Sequence, residues 1–202
     1  MEKRPLIIIL SGTYGSGKTM LAHQLATDLR IMQRTSLSSI IRTIKTVLPE
    51  NPILKNWYIR DNTEKEFLRG KITKEAELIG KIVHTITKSA EHTGENYIID
   101  GAQLLPKFLP MDRVIFFRVF VSDKDKHKIM LSQPNITRFR RVTDISYDLS
   151  KKVEDIIENE CAGHPVYHID NVGTPEEASK KMIEMIKANY PDYADRYFWF
   201  EK

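Results

Sequence analysis

Apolar residues recur along this chain in two registers, and the register alternates from one stretch to the next. Leu6-Ile7-Ile8-Ile9-Leu10 is a short unbroken apolar run, as a strand buried on both faces requires. Asn96-Tyr97-Ile98-Ile99-Asp100, Arg113 to Val121 and Val166-Tyr167-His168-Ile169-Asp170 predict three more strands, and Ile31 to Ser36 a short one. Between them the spacing becomes helical. Leu21, Leu25 and Leu29 fall four apart on one face. Ser36 to Ser39 reads as a loop into a helix at Ile40 to Lys45, broken by Pro49 and Pro52. Ala76, Ile79, Val83 and Ile86 mark a helix from about Lys74 to Glu91, stopped by Gly94. Asp123 to Leu131 and Ser150 to Cys161 predict two further helices. Thr174-Pro175-Glu176-Glu177 supplies an N-cap, a proline at the first helical position and two acids on the positive helix end, with the helix running to about Lys187. Lys55 to Arg60 shows no assignable pattern. Strands alternating with helices predict an α/β protein with a parallel sheet covered on both faces. In such a sheet ligands bind beyond the carboxyl ends of the strands.

The junction between the first strand and the first helix carries the chemistry. Gly12-Thr13-Tyr14-Gly15-Ser16-Gly17-Lys18-Thr19 fits the phosphate-loop pattern G-x-x-x-x-G-K-[ST], directly before Met20 and the helical stretch. The glycines let the backbone approach a ligand closely, and the loop N–H groups then converge on an anion. Lys18 is placed to reach the β- and γ-phosphate oxygens of a nucleotide, and Thr19 to set its hydroxyl on Mg²⁺.

At 202 residues, 41% hydrophobic and 29% charged, the chain is expected to form one domain, residues 1–202. No apolar run approaches the roughly 18 residues of a membrane span, and Leu6 to Leu10 is too short for a signal peptide. One cysteine, Cys161, excludes an internal disulfide framework and fits a reducing, cytoplasmic setting. It is expected to be a small buried hydrophobe. The net charge of +4 and pI near 9.0 favour anionic partners: a phosphorylated metabolite, a nucleotide or an RNA.

Two further features extend the loop. Asp100 closes the third strand and should project into the same crevice, as a Mg²⁺ ligand or as a base for an accepting hydroxyl. Arg138, Arg140 and Arg141, around Phe139, form a basic cluster in a polar stretch. They suit a lid that stabilises charge on a migrating phosphoryl group, or a nucleic-acid contact. His23, His84, His92, His164 and His168 show no metal-ligand spacing and read as surface or packing residues. The aromatic-rich tail from Tyr190 to Phe200 is expected to dock on the body rather than mark a subunit contact.

With these residues in hand, the chain resembles the small P-loop kinases, and within them the archaeal 2-phosphoglycerate kinase family. The block Glu95 to Pro106, with Asp100-Gly101-Ala102-Gln103-Leu104-Leu105-Pro106, is similar to a family signature of acid-Gly-x-His-Leu-x-Pro. Asp123-Lys124-Asp125-Lys126-His127-Lys128, with Arg138-Phe139-Arg140-Arg141 beyond, is similar to an acidic-His stretch leading to Arg-Phe-x-x-Arg. Asp100 stands where the family commonly has Glu, and Gln103 where it has His. Ser38 lies about where many related kinases carry an Asp. The resemblance implies a three-layer P-loop kinase-like fold with a five-stranded parallel sheet, an acceptor-binding helical region at about 37–93 and a helical lid at about 132–149. It implies ATP and Mg²⁺ as cofactors and transfer of the γ-phosphoryl group to a small anionic hydroxylated metabolite, 2-phosphoglycerate or similar. Gly12 to Met20 would bind ATP, with Lys18, Asp100, Arg138 and Arg141 catalytic, and Thr19 and Asp100 on the metal. Ser38, Arg42, Arg60 and Gln103 would face the acceptor. A nucleotide or nucleic-acid kinase is the second expectation, a nucleotide-dependent switch the third. The protein is expected to be a monomer or homodimer with no membrane partner.

Overall fold

A computed structural model of the protein describes residues 4–55, 64–132 and 146–193. Five strands form one all-parallel sheet: β1 Ile7–Ser11, β2 Gln33–Ser36, β3 Tyr97–Gly101, β4 Ile115–Phe120 and β5 Tyr167–Asp170. Their order is β2-β3-β1-β4-β5. The helices are α1 Lys18–Asp28, α2 Leu37–Val47, α3 Pro52–Lys55, α4 Lys65–Thr93, α5 Lys124–Ser132, α6 Tyr147–Cys161 and α7 Pro175–Asn189.

The unbroken apolar strands follow from burial on both faces. In β1 all five residues are buried. Ile7 and Ile9 pack into a core with residues of α2, α4 and α6, while Ile8 and Leu10 pack into a second core with α1 and α7. The fold is therefore the expected three-layer α/β sandwich. From β1 the chain crosses to the edge strand β2, returns to β3 beside β1 and then passes to β4 on the other side of β1, so the order reverses at the carboxyl ends of β1 and β3. There Ser11 lies level with Gly101 of β3 and Arg118 of β4, and Asp100 level with Ser36 of β2.

Local signals set several boundaries as read. Gly94 ends α4 in the left-handed conformation at φ 74°. Thr174 and Glu177 form a reciprocal capping box at the start of α7. Cys161 is buried, and burial pushes its thiol up to about 11. The described beginning of the tail docks on the body. Tyr193 Oη donates to the Pro5 carbonyl at 3.2 Å, and Tyr190 packs between Tyr167 and Tyr193.

Two boundaries differ from the sequence reading. No loop separates β2 from α2. Ser36 takes the extended N-cap position, and Leu37 already belongs to the helix because its buried side chain lies against Gly101. Helix α4 begins at Lys65 rather than near Lys74. Leu68 and Ile72 continue the buried stripe on the far side of Gly70. One helical glycine costs about 1 kcal/mol, less than either of those side chains contributes by burial. Arg60, Arg138 and Arg141, and most of the expected lid, lie outside the described residues. No described helix is long and apolar enough to cross a membrane.

Candidate functional site

The loop from Gly12 to Thr19 turns at the carboxyl end of β1 and delivers its last two residues into the first turn of α1. Gly15 and Gly17 hold φ of 71° and 77°, a region costly to any residue with a Cβ. Gly17 is also the N-cap of α1, with no side-chain cap over the first amides. Thr13 and Ser16 are buried, Tyr14 is half-buried and Met20 is exposed. Lys18 Nζ turns back onto the Thr13 carbonyl at 2.9 Å. Ser16 Oγ is buried with no hydrogen-bond partner among the described residues. Uncapped first-turn amides, positive-φ glycines, an orphaned hydroxyl and a lysine folded onto its own loop form a donor set with one kind of complement, a polyphosphate.

Asp100 meets this loop from the neighbouring strand. Thr19 Oγ1 donates to Asp100 Oδ2 at 2.8 Å. The other carboxylate oxygen lies 3.4 Å from Arg34 Nη1 on β2. Asp100 is 1% exposed, and both its oxygens lie against donors. Thr19 spends its one hydrogen on Asp100, which leaves its oxygen lone pairs for a cation. A hydroxyl backed by a buried carboxylate, next to a phosphate cradle, is a donor set that fits Mg²⁺ held jointly with a nucleotide.

Toward α2 and α4 the residues are different. Ser38, in the first turn of α2, has its Oγ 2.9 Å from Ser36 Oγ. Arg42 is exposed one helical turn further along. Gln103 is buried just beyond β3, and its Nε2 donates to Glu75 Oε2 of α4 at 3.3 Å. Lys71 Nζ pairs with the other oxygen of Glu75. Burial pushes the Glu75 carboxyl up to about 7, against the opposing pull of Lys71, Gln103 and Lys45.

Sequence reasoning named Lys18, Thr19 and Asp100, and the structure brings Thr19 and Asp100 into contact. It did not name Arg34, Glu75, Lys71, Ser150 or Asn171, and gave His127 no role at the loop. A charged residue inside the short strand β2 was a readable signal for Arg34. Glu75 occupies a position on the apolar stripe of α4, between Ile72 and Ala76, where a carboxylate is costly.

No family model matches the chain. Among curated proteins it is 22% identical over 222 residues to a 2-phosphoglycerate kinase of Methanococcus maripaludis, covering 96% of this chain and 68% of that one. It is 24% identical over 212 residues to a 2-phosphoglycerate kinase of Methanocaldococcus jannaschii, covering 92% and 68%. Among solved structures, a sugar kinase from Janibacter sp. HTCC2649 superposes with a TM-score of 0.55 at 16% identity, over 93% of this chain and 98% of that one. Shikimate kinase from Acinetobacter baumannii, in complex with shikimate, gives 0.51 at 17% identity, over 94% and 96%. Deoxyadenosine kinase from M. mycoides gives 0.51 at 12% identity, over 91% and 100%. The chain thus has the fold of the P-loop kinases and is similar in sequence to the archaeal 2-phosphoglycerate kinases.

Proposed function

We propose that this protein is an ATP-dependent kinase that transfers the γ-phosphoryl group to a hydroxyl of a small anionic metabolite, 2-phosphoglycerate or a close chemical relative. The observation that carries this reading is the Thr19–Asp100 hydrogen bond. It couples the phosphate loop to a buried carboxylate at the adjacent strand end. The names of the curated relatives support the acceptor class.

The loop amides and Lys18 bind the β- and γ-phosphates, Lys18 giving up the Thr13 carbonyl to do so. Thr19 and Asp100 would hold Mg²⁺, whose positive charge would offset that of the phosphates. Asp100, with one oxygen on Thr19 and the other facing Arg34, serves this metal side rather than acting as a free base. Ser38, Gln103 and Arg42, with Arg60, are assigned to binding the acceptor. Arg138 and Arg141 supply positive charge to the migrating group. Gln103 and Ser38 depart from the residues their counterparts carry, so the acceptor need not be 2-phosphoglycerate itself. The single domain and the cytoplasmic setting belong to the same proposal.

The test is a coupled ADP-release screen over phosphorylated and carboxylated hydroxy compounds, with nucleosides and an RNA 5′ end included. Turnover should require a small anionic acceptor, and Lys18→Ala should lower it by about 10²-fold or more. A Lys18→Ala protein with near-parental turnover defeats the proposal. Transfer to a nucleoside or RNA alone would replace the metabolite with a nucleic-acid acceptor. Tight ATP binding with no transfer to any acceptor would mark a nucleotide-binding switch.

A further inference from the structure

Three buried polar side chains lie behind the phosphate loop, each from a different element. His127 of α5 and Ser150 of α6 have no exposed surface, and Asn171, just past β5, has 4%. Each donates to a carbonyl of the loop. His127 Nε2 and Ser150 Oγ both lie 2.8 Å from the Tyr14 carbonyl oxygen. Asn171 Nδ2 donates to the Ser16 carbonyl at 2.9 Å.

The protons can be assigned. A carbonyl only accepts, so the hydrogen on His127 sits on Nε2. Its Nδ1 has no partner among the described residues, so Nε2 is the ring nitrogen that engages the loop. Ser150 gives its one hydroxyl hydrogen to Tyr14, while its own carbonyl accepts from Thr13 Oγ1 at 2.7 Å. The Tyr14 carbonyl oxygen then has both lone pairs engaged.

A trans peptide points its C=O and the following N–H in opposite directions. Donors holding the Tyr14 carbonyl toward α5 and α6 therefore turn the Gly15 N–H the other way, to the front of the loop. The Asn171 amide does the same for the peptide between Ser16 and Gly17. The two amides so aimed belong to Gly15 and Gly17, the loop residues with positive φ. Released, either peptide could flip and put a carbonyl oxygen where a phosphate oxygen would sit.

We infer that His127, Ser150 and Asn171 are positioning residues that aim the Gly15 and Gly17 amides at the phosphates of a bound nucleotide. This rests on the reading that the loop binds nucleotide phosphates. A role in packing alone would not require a donor, only a side chain of the right volume.

The experiment is calorimetric titration of the full chain with MgADP and with inorganic tripolyphosphate, beside a thermal melt of each variant. Ser150→Ala and His127→Ala should each weaken both ligands by about five- to tenfold, the size of one lost hydrogen bond of this kind. His127→Gln, which carries an amide donor near the position of Nε2, should restore most of the affinity. Asn171→Asp sets a carboxylate against the Ser16 carbonyl and should weaken binding further while keeping the side-chain volume. The inference is overturned if folded His127→Ala, Ser150→Ala and Asn171→Asp all bind within twofold of the parent. It is equally overturned if folded His127→Gln binds no better than His127→Ala. A parent protein that binds neither ligand defeats the kinase reading itself, a result separate from these two.

Discussion

Glu75→Gln should change how stability depends on pH, and the size of the change follows from where Glu75 sits. The carboxyl is 1% exposed on the core face of α4, and burial raises it from 4.5 to about 7 despite Lys71, Gln103 and Lys45. Between those two values the folded protein holds a proton that the unfolded chain has released. Stability therefore falls as pH rises through this window, by 1.36 kcal/mol per unit. The full contribution is present below pH 4.5 and gone above 7, a total of about 3 kcal/mol. Glutamine keeps the shape and binds no proton, so the slope disappears. The variant should gain about 3 kcal/mol relative to the parent between pH 4.5 and 7.5. Every other titrating group cancels in that difference. Urea unfolding of both proteins across the range measures it, with the slope m confirming an unchanged unfolded state. Parallel stability curves would show that Glu75 is ionised throughout and that Lys71 overcomes its burial.

Three more outcomes follow from the same geometry. Gly17→Ala would place a Cβ 2.3 Å from Asn171 Nδ2 at a φ of 77°, so MgADP affinity should fall by at least tenfold, about 1.4 kcal/mol, in a protein that still folds. Arg34→Met should destabilise by about 1–3 kcal/mol, because the buried Asp100 side chain loses one of its two donors. Combining it with Asp100→Asn in a double-mutant cycle should give a coupling of about 0.5 kcal/mol or more, and additive effects would disprove the pair. Cys161, buried with its thiol pushed up to about 11, should react with an aromatic disulfide at pH 8 only as fast as the protein opens, and rapid stoichiometric labelling of the native chain would contradict its placement.

What the sequence discloses is what local physics decides. The strands are legible because both faces of the sheet are covered, so burial writes Leu6 to Leu10 as an unbroken apolar run and Ile115 to Phe120 as one interrupted by Arg118, which is buried against Glu154. The capping box at Thr174 and the stop at Gly94 are legible because each is closed within a few residues. The phosphate loop is legible because its glycines answer to their own φ angles. Tertiary placement decides the rest. Arg34 matters because β2 lies beside β3, a pairing that no spacing in the chain announces. Glu75 and Gln103 meet across the fold although one lies on a helix and the other in a loop. The early start of α4 was obscured by Gly70, whose cost is outweighed by burial of Leu68 and Ile72 against the rest of the core.

Among the described residues the acceptor side holds no evident base, and this bears on mechanism rather than against transfer. Ser38 and Gln103 cannot accept a proton at neutral pH unaided. Asp100 has both oxygens engaged by donors. Glu75 is the carboxylate raised furthest toward neutrality among the described residues, but it lies behind Gln103 and is itself paired with Lys71. Phosphoryl transfer through a loose transition state asks little of a base, since the accepting hydroxyl is still largely protonated when the bond to the leaving phosphate has mostly broken. It asks for in-line placement of the acceptor and for positive charge on the migrating group. In the proposed kinase, Lys18 and the amides of Gly15 and Gly17 would meet the second requirement from the donor side. In the same proposal Gln103, anchored on Glu75, would meet the first by a hydrogen bond that fixes the acceptor without taking its proton. On that reading a glutamine at 103, where the similar kinase signature has histidine, takes a titrating group out of the site, and the pH dependence of turnover should carry no ionisation from position 103.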